Sequence, residues 1–497
     1  MQPIPSTAGS VSLRQALTDG QFFAARDIHV TSCCTDPRSC RPGDLFVATV
    51  RDDGDTHELA AEAVRRGAAA ILAERLLPAG VPVCVVPDSR VALGRICQAL
   101  AGNPCRDVNV IGVSGTNGKT TTSVLIASVL RAAGHQVGCT TSLDRCDGFD
   151  SFPATTTTPA PPELAAWLAR MGSNGCSHGV IEVSSRGLAH QRLSGVDLQA
   201  AVLTNVRRAH LDYHGSVANY RRAKAKLFEY LRPQGFAVLN ADDMVCQSLL
   251  NRLSCPVITV GMQRPAELSA TVIERYRGEQ TFLMAAGNDT VPVRTRMIGD
   301  HHVSNCLAAA AVGLVMGVDL MSIARGLEAV KQLPARLERI ECGQEFGVYV
   351  DCADTPDRLA MSLRTLRQVT SGRILCVFAA DDCESEGERP LVGRVVERSA
   401  DLGVITSSRP RGAQPLDIAH EILDGYEKPS RAHLIPTRTE AIRWTLGEAL
   451  PGDSVLITGG TKASACCGQD NRGSDADVAR SCLYEVAQGG RVLGVVG

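Results

Sequence analysis

"GVSGTNGKTTTS" (112–123) is the stretch that decides the fold of this chain. It follows the continuous apolar run "VNVIGVS" (108–114). It then leads into "TTTSVLIASVLRAAG" (120–134), whose apolar residues recur at helical spacing until Gly134 stops them. A glycine-rich turn between a buried strand and a helix N-terminus suits an anion, because its backbone N–H groups turn inward and the helix dipole adds positive potential. The common phosphate loop places four residues between its first glycine and the final Gly-Lys-Thr. Here five residues separate Gly112 from Gly118, with Gly115 among them. An ordinary glycine-rich strand–helix turn is the competing reading, and the position of the loop and its Gly-Lys-Thr-Thr ending weigh against it. In the nucleotide reading Lys119 reaches β/γ-phosphate oxygens and Thr120 ligates Mg²⁺.

The rest of the chain fits around that loop as an α/β protein. At 497 residues it is too long for one ordinary core. Three blocks emerge: 1–105, 106–332 and 333–497. The first carries short strands at 45–49, 68–74 and 81–87, with the helical "HELAAEAVRRG" between the first two, and "GNPC" (102–105) reads as a linker. In the second, buried-type strands at 179–185, 199–206, 236–243 and 257–261 alternate with helices, which implies a parallel sheet covered on both faces. The third repeats the alternation at "VYVDCAD", "ILCVFAADD", "LGVITSS" and "SVLITGGT".

Composition narrows the class of function. A formal charge of -2 argues against a nucleic-acid binder working through bulk positive charge. The 19 scattered cysteines show neither a repeated zinc spacing nor a disulfide framework, and read as buried apolar residues in a reducing cytosol. The N-terminus lacks the form of a secretory signal, and the longest apolar stretch (306–318) is too short to span a bilayer. The expectation is a soluble cytoplasmic protein.

Two further stretches bear chemistry. "EVSS" (182–185) ends an apolar strand with Glu182, on the ligand edge of a parallel sheet, where it serves either a metal or solvent. "TNVRRAHLDYHGSVANYRRAKAKLFEYL" (204–231) packs two histidines, an aspartate and a tyrosine behind another strand end. Taken alone, Lys224 reads as a surface lysine and His210 as structural.

In order and spacing, "GTNGKTT", "TTTTP" (155–159), "EVSS", "TN…HLDYHG" and "YRRAKAKLF" resemble the Mur ligases of peptidoglycan synthesis, most closely the MurE type, the UDP-N-acetylmuramoyl-tripeptide synthetases. "RPGDLFVAT" (41–49) and "MIGDHHVSNCLAAAAVGLVMGV" (297–318) extend the likeness to most of the chain. The resemblance implies a three-domain architecture: an N-terminal UDP-substrate domain, a central P-loop-type parallel-sheet domain and a C-terminal Rossmann-like amino-acid domain. It implies an ATP-dependent carbon–nitrogen ligase that adds an amino acid to UDP-N-acetylmuramoyl-L-alanyl-D-glutamate, acting as a cytoplasmic monomer without nucleic acid or membrane. Gly115, Thr116, Asn117, Gly118, Lys119, Thr120 and Thr121 would hold ATP phosphates, with Asn305 and Arg336 as further nucleotide contacts. Thr120, Glu182 and His210 would hold Mg²⁺, and Lys224 would be carbamylated by CO₂. Thr157, Thr158, Ser184 and Arg192 match contacts to the UDP-muramoyl peptide.

The sequence also departs from the family pattern. Ala209 stands for an aspartate in "DHLDYHG", and Arg186 for a histidine after "EVSS". In the third block "DYAHTPD" reads "DCADTPD" (351–357), the glycine-rich turn reads "AADDCESEGERP" (379–390), "DDNPR" reads "SSRPR" (407–411) and "GKGHE" reads "GGTKA" (459–463). Arg409 and Arg411 remain to grip the amino acid's carboxylate. These changes leave open a different acceptor, or a catalytically impaired paralogue that keeps ATP and UDP-peptide sites. A folate-polyglutamate type of ligase is disfavoured by "DYHG", "TTTTP" and the long first domain.

Overall fold

The apolar runs become strands and the periodic segments become helices, in a computed structural model describing residues 9–51, 54–380, 386–407, 415–460 and 474–487. The chain divides into two units. One comprises Met1–Val206, Ala218–Val260 and Ala308–Asp319, and the other Arg207–Val217, Gly261–Leu307 and Leu320–Gly497.

The first unit holds two large sheets and two short two-stranded ones. In its N-terminal part the strands Leu45–Val47, Ala70–Ala73 and Val83–Val85 pair in parallel, flanked by Cys33–Cys34 and by the antiparallel Gln21–Phe23. The helix Ser89–Leu100 covers one face, and its Leu93, Ile96 and Leu100 share a core with Leu45, Leu72 and Ala165 of the helix Pro161–Ser173. The "GNPC" stretch, read as a linker, is instead a packed corner. Asn103 is left-handed, its N–H donates to Gln98 O, and Pro104 is buried.

The larger sheet is parallel through Val137–Thr140, His178–Glu182, Asn109–Ser114, Leu198–Leu203, Leu231–Asn240 and Val257–Gly261, in that spatial order. An antiparallel pair, Asp144–Cys146 and Ser151–Pro153, extends its first edge. Asn109–Ser114 lies centrally, and the chain leaves it toward one side and returns across it to the other. The carboxyl end of such a strand is a topological switch point, where open α/β sheets bind ligands. Glu182 and Thr204 end or follow the strands on either side.

The second unit contains an antiparallel meander, Leu268–Arg275, Gln280–Ala286 and Asp289–Thr295, which apolar runs alone did not predict. Its C-terminal sheet runs Glu338–Arg339, Gly347–Val350, Ser454–Ile457, Ile374–Phe378, Leu402–Ser407, Ala432–Thr437, parallel except at the first pair. Helices Pro356–Arg367, Arg389–Ser399 and Pro415–Leu423 bury one face, and Arg438–Glu448 and Asp475–Ala487 the other. This is a doubly wound sheet, in keeping with the Rossmann-like expectation.

Candidate active site

The loop between Ser114 and Lys119 is held by its backbone. Gly115 (φ +152°) and Gly118 (φ +84°) occupy conformations that L side chains avoid. A Cβ on Gly115 would also lie 1.9 Å from Thr204 Oγ1. Asn205 clamps the next turn. Its carbonyl accepts from Thr116 N at 2.9 Å, its Oδ1 accepts from Asn117 N at 3.0 Å, and its Nδ2 donates to Asn117 O at 3.0 Å. Thr204 Oγ1 donates to that same carbonyl at 2.6 Å, and the Thr116 hydroxyl meets Tyr220 Oη at 2.9 Å. The helix Lys119–Ala132 therefore presents its N-terminus to a rigid cradle.

Three oxygen-bearing side chains gather beside it. Glu182, 2% exposed, accepts from Thr120 Oγ1 at 2.9 Å and from Ser142 N at 2.8 Å, and the two hydroxyls lie 3.0 Å apart. Carboxylate and hydroxyl are hard donors that suit Mg²⁺. The residues therefore fit the ion the resemblance implies, and Ser142 joins them although no sequence signal marked it. Its signal was positional: it follows the strand next to the one that ends in Glu182.

Lys224 is the clearest reversal of a residue-level reading. It is 1% exposed, packs 4.9 Å from the Tyr220 ring centroid, and donates to Gly115 O at 2.7 Å. Burial, and then the charge of Lys119, hold its amine well below the ordinary lysine range, against a weaker pull from Glu182. An amine that loses its proton easily is the form that reacts with CO₂.

Thr158, Ser184 and Arg192 form one network behind Glu182. Thr158 Oγ1 lies 3.2 Å from Glu182 O and 3.1 Å from Ser184 Oγ, and accepts from Ser184 N at 2.9 Å. Ser184 caps the helix Ser185–Ala189 through Gly187 N, and Arg192 Nη1 donates to Thr158 O at 2.5 Å. Thr157 is half-buried in the adjoining turn, and Arg186 is exposed. The turn is anchored from outside by Arg145, a residue the sequence reading passed over. Arg145 is 4% exposed, pairs with Glu163, and donates to Thr156 Oγ1 at 3.1 Å.

The remaining expected residues belong to the second unit. His210 is left-handed (φ +52°) and opens the short helix Leu211–His214, with the neighbouring Ala209 buried. Asn305 is buried on the helix Asp300–Val315. Arg336 sits between Ala335 (φ +51°) and Leu337 (φ +48°), two left-handed non-glycine residues, a strain typical of functional turns. Its guanidinium contacts the Cys352 sulfur, which also receives Arg358 Nη2 at 3.4 Å. Asp354 pairs with Arg358 at 2.6 Å. Burial would pull Arg358 down, but Asp354, Cys352 and Asp351 outweigh it and raise it. Arg409 and Arg411 lie outside the described residues.

Comparison with known proteins gives this geometry its family. Residues 113–313 match the Mur ligase middle domain, and residues 335–461 match the Mur ligase glutamate ligase domain. A UDP-N-acetylmuramoyl-L-alanyl-D-glutamate--2,6-diaminopimelate ligase of Geobacillus thermodenitrificans is 39% identical over 85% of this chain and 88% of its own. A UDP-N-acetylmuramyl-tripeptide synthetase of a Roseiflexus species is 36% identical over 92% and 94%. A solved UDP-N-acetylmuramoyl-L-alanyl-D-glutamate--2,6-diaminopimelate ligase superposes with a TM-score of 0.70 at 26% identity, covering 96% of this chain and 99% of that one. A MurF ligase from Thermotoga maritima, solved with ADP, shares the fold with a TM-score of 0.63 at 20% identity, over 92% of this chain and 97% of its own. The chain belongs to the Mur ligase family.

Proposed function

We propose that this protein is an ATP-dependent ligase joining an amino acid to the D-glutamate carboxylate of UDP-N-acetylmuramoyl-L-alanyl-D-glutamate, in the making of peptidoglycan precursors. The observation that carries the reading is the convergence of Lys119, Thr120, Glu182 and Lys224 on one end of the central sheet. A carboxylate is a poor electrophile, so the γ-phosphoryl of ATP is first moved to it and the acceptor's neutral amine then displaces phosphate. The loop N–H groups from Gly115 to Thr121 and the Lys119 ammonium grip the phosphates, while Asn305 and Arg336 hold the nucleoside. Thr120, Glu182 and His210 would hold Mg²⁺, which would screen the repulsion between carboxylate and triphosphate. Lys224, as a carbamate, turns a cation into an anion beside those ligands. Thr157, Thr158, Ser184 and Arg192 orient the UDP-muramoyl peptide, and Arg409 and Arg411 take the α-carboxylate of the acceptor.

Family membership and the intact loop, Glu182 and Lys224 support catalysis over a binding-only paralogue. Among the described residues no helix is long and apolar enough to cross a membrane. The near-neutral formal charge argues against a nucleic-acid partner, and the proposal takes the enzyme as a cytoplasmic monomer acting without a membrane. Phosphate release from ATP with UDP-muramoyl-dipeptide, screened across amino acids, tests the reading. ATP binding without turnover for any acceptor would sink it.

A further inference from the structure

A second ligand set lies in the N-terminal sheet, outside the loop and Glu182. Cys33 and Cys34 form one short strand, so their side chains point to opposite faces. Cys33 goes inward, with its sulfur 3.9 Å from that of Cys97. Cys34 faces the other way, toward the turn that leads from Pro37–Ser39 into the next strand, Leu45–Val47. On that turn the Cys34 sulfur, the Cys40 sulfur and a carboxylate oxygen of Asp44 all lie within 4.8 Å of one another. Two thiolates at about 2.3 Å from a tetrahedral zinc stand about 3.8 Å apart, so small side-chain rotations close the set.

Asp44 supplies an independent sign of a missing cation. It is 2% exposed, yet its partners are neutral: the Ser32 hydroxyl, and Arg41 N at 2.8 Å. No Lys, Arg or His pairs with it among the described residues. A buried carboxylate without a counter-charge is costly, and two neutral donors do not offset it. Those same donors fix the carboxylate's direction, as outer partners of metal ligands do.

We propose that Cys34, Cys40 and Asp44 bind one thiophilic divalent cation, with zinc preferred and water in the fourth position. Two thiols and one carboxylate exclude Mg²⁺ and Ca²⁺, which take oxygen. Cys40 is only half-buried, which leaves the site an entry path and room for the water. On binding, two S–metal bonds form and both thiol protons pass to solvent. The metal ties neighbouring parallel strands through the turn that joins them, a staple for a small domain.

The test uses the full chain, reduced and stripped of metal, titrated with Co²⁺. The expected result is about one equivalent bound, with a thiolate-to-cobalt charge-transfer band and the intense visible bands of a four-coordinate site. Both should be lost in the paired Cys34→Ser, Cys40→Ser variant and kept in Cys255→Ser. Zinc content by atomic emission should fall from about one per chain to background in the same variant, and in Asp44→Asn if that variant folds. Circular dichroism checks that each variant is folded. Binding that survives the paired substitution would overturn the proposal. So would the absence of any stoichiometric metal in the reduced protein, or a Cys34–Cys40 disulfide as the only chemistry the pair shows.

Discussion

Lys119 and Lys224 donate to the same oxygen, the carbonyl of Gly115, at 3.1 and 2.7 Å. Lys119 also holds Thr116 O at 3.0 Å, whereas Lys224 is sealed from water. Two ammonium groups on one acceptor repel, and the buried one gives up its proton first. Burial and the neighbouring Lys119 charge thus hold the Lys224 amine well below the ordinary lysine range, the form that the proposed carbamylation needs.

The first prediction follows from that division. Lys224→Ala should lower kcat by about 100-fold or more, the scale of removing one preorganised charge-stabilising group. Formate or acetate should restore part of it by occupying the carbamate's place. Lys224→Arg keeps a cation and should not be rescued. Full activity in Lys224→Ala, or no response to any short carboxylate, would remove the carbamate from the mechanism.

The second concerns stability and pH. A lysine whose folded pKa is depressed binds a proton more weakly in the folded chain than in the unfolded one. From its folded value up to about 10.4 the unfolded chain holds the extra proton, so stability rises with pH across that window. Lys224→Met removes the penalty. In CO₂-free buffer its Tm should exceed that of the wild type at neutral pH, and the difference should shrink toward about pH 10. A gap that is constant with pH would mean that Lys224 stays charged when buried.

The third concerns Ser142. Its N–H and hydroxyl hold Glu182 and Thr120, so Ser142→Ala keeps the first bond and loses the second. The apparent affinity for Mg²⁺ should weaken about 10-fold, as for loss of an outer partner, with ATP binding in the absence of metal unchanged. Titration calorimetry with and without the ion separates the two.

What the sequence made legible was what is local. The loop, Thr120 and Glu182 are read from adjacent residues at strand ends, and the two doubly wound sheets from apolar runs. Taken alone Lys224 reads as exposed because its helix, "VANYRRAKA", is rich in Arg and Lys, and only the contact with Gly115, far away in sequence, shows where it goes. Ser142 acts partly through backbone, which carries no residue signal. The meander at 268–295 alternates buried and exposed residues rather than running apolar, and Ala432–Thr437 is largely exposed, so neither resembles a buried strand.

The fourth prediction takes up Arg145, which is invisible to motif reading because it stands on a hairpin without a motif. Its guanidinium joins Glu163 in the first turn of one helix to the threonine turn that ends in Thr158. Arg145→Leu should raise KM for the UDP-peptide about 10-fold and leave kcat nearly unchanged, since it positions the turn rather than the reacting atoms. Glu163→Gln should act in the same direction and more weakly. A fall in kcat at constant KM would place Arg145 in the chemistry instead.

The last prediction concerns the acceptor. The Geobacillus relative and one solved neighbour are named for 2,6-diaminopimelate, whose distal ammonium and carboxylate each need a matched charge in the site. In this sequence the position of the expected acid is Ala463, and Ser408-Arg409 stands for the expected Asp-Asn, all outside the described residues. Among the described residues, Asp354 stands where the family has histidine, and its carboxylate is already committed to Arg358 at 2.6 Å. That change is accommodated by an ion pair one helical turn away. An ammonium buried without its acid loses about 3 kcal/mol or more, which is on the order of 100-fold in kcat/KM. We therefore expect neither diaminopimelate nor lysine to be added efficiently, and a smaller or differently charged amino acid to be preferred. Incubation with UDP-muramoyl-dipeptide, ATP, Mg²⁺ and each amino acid in turn measures the ratio directly. Rapid tripeptide formation from either diamino acid at micromolar concentration would refute the expectation, and would show that Ser408, Arg409 and Ala463 are not where the distal group is read.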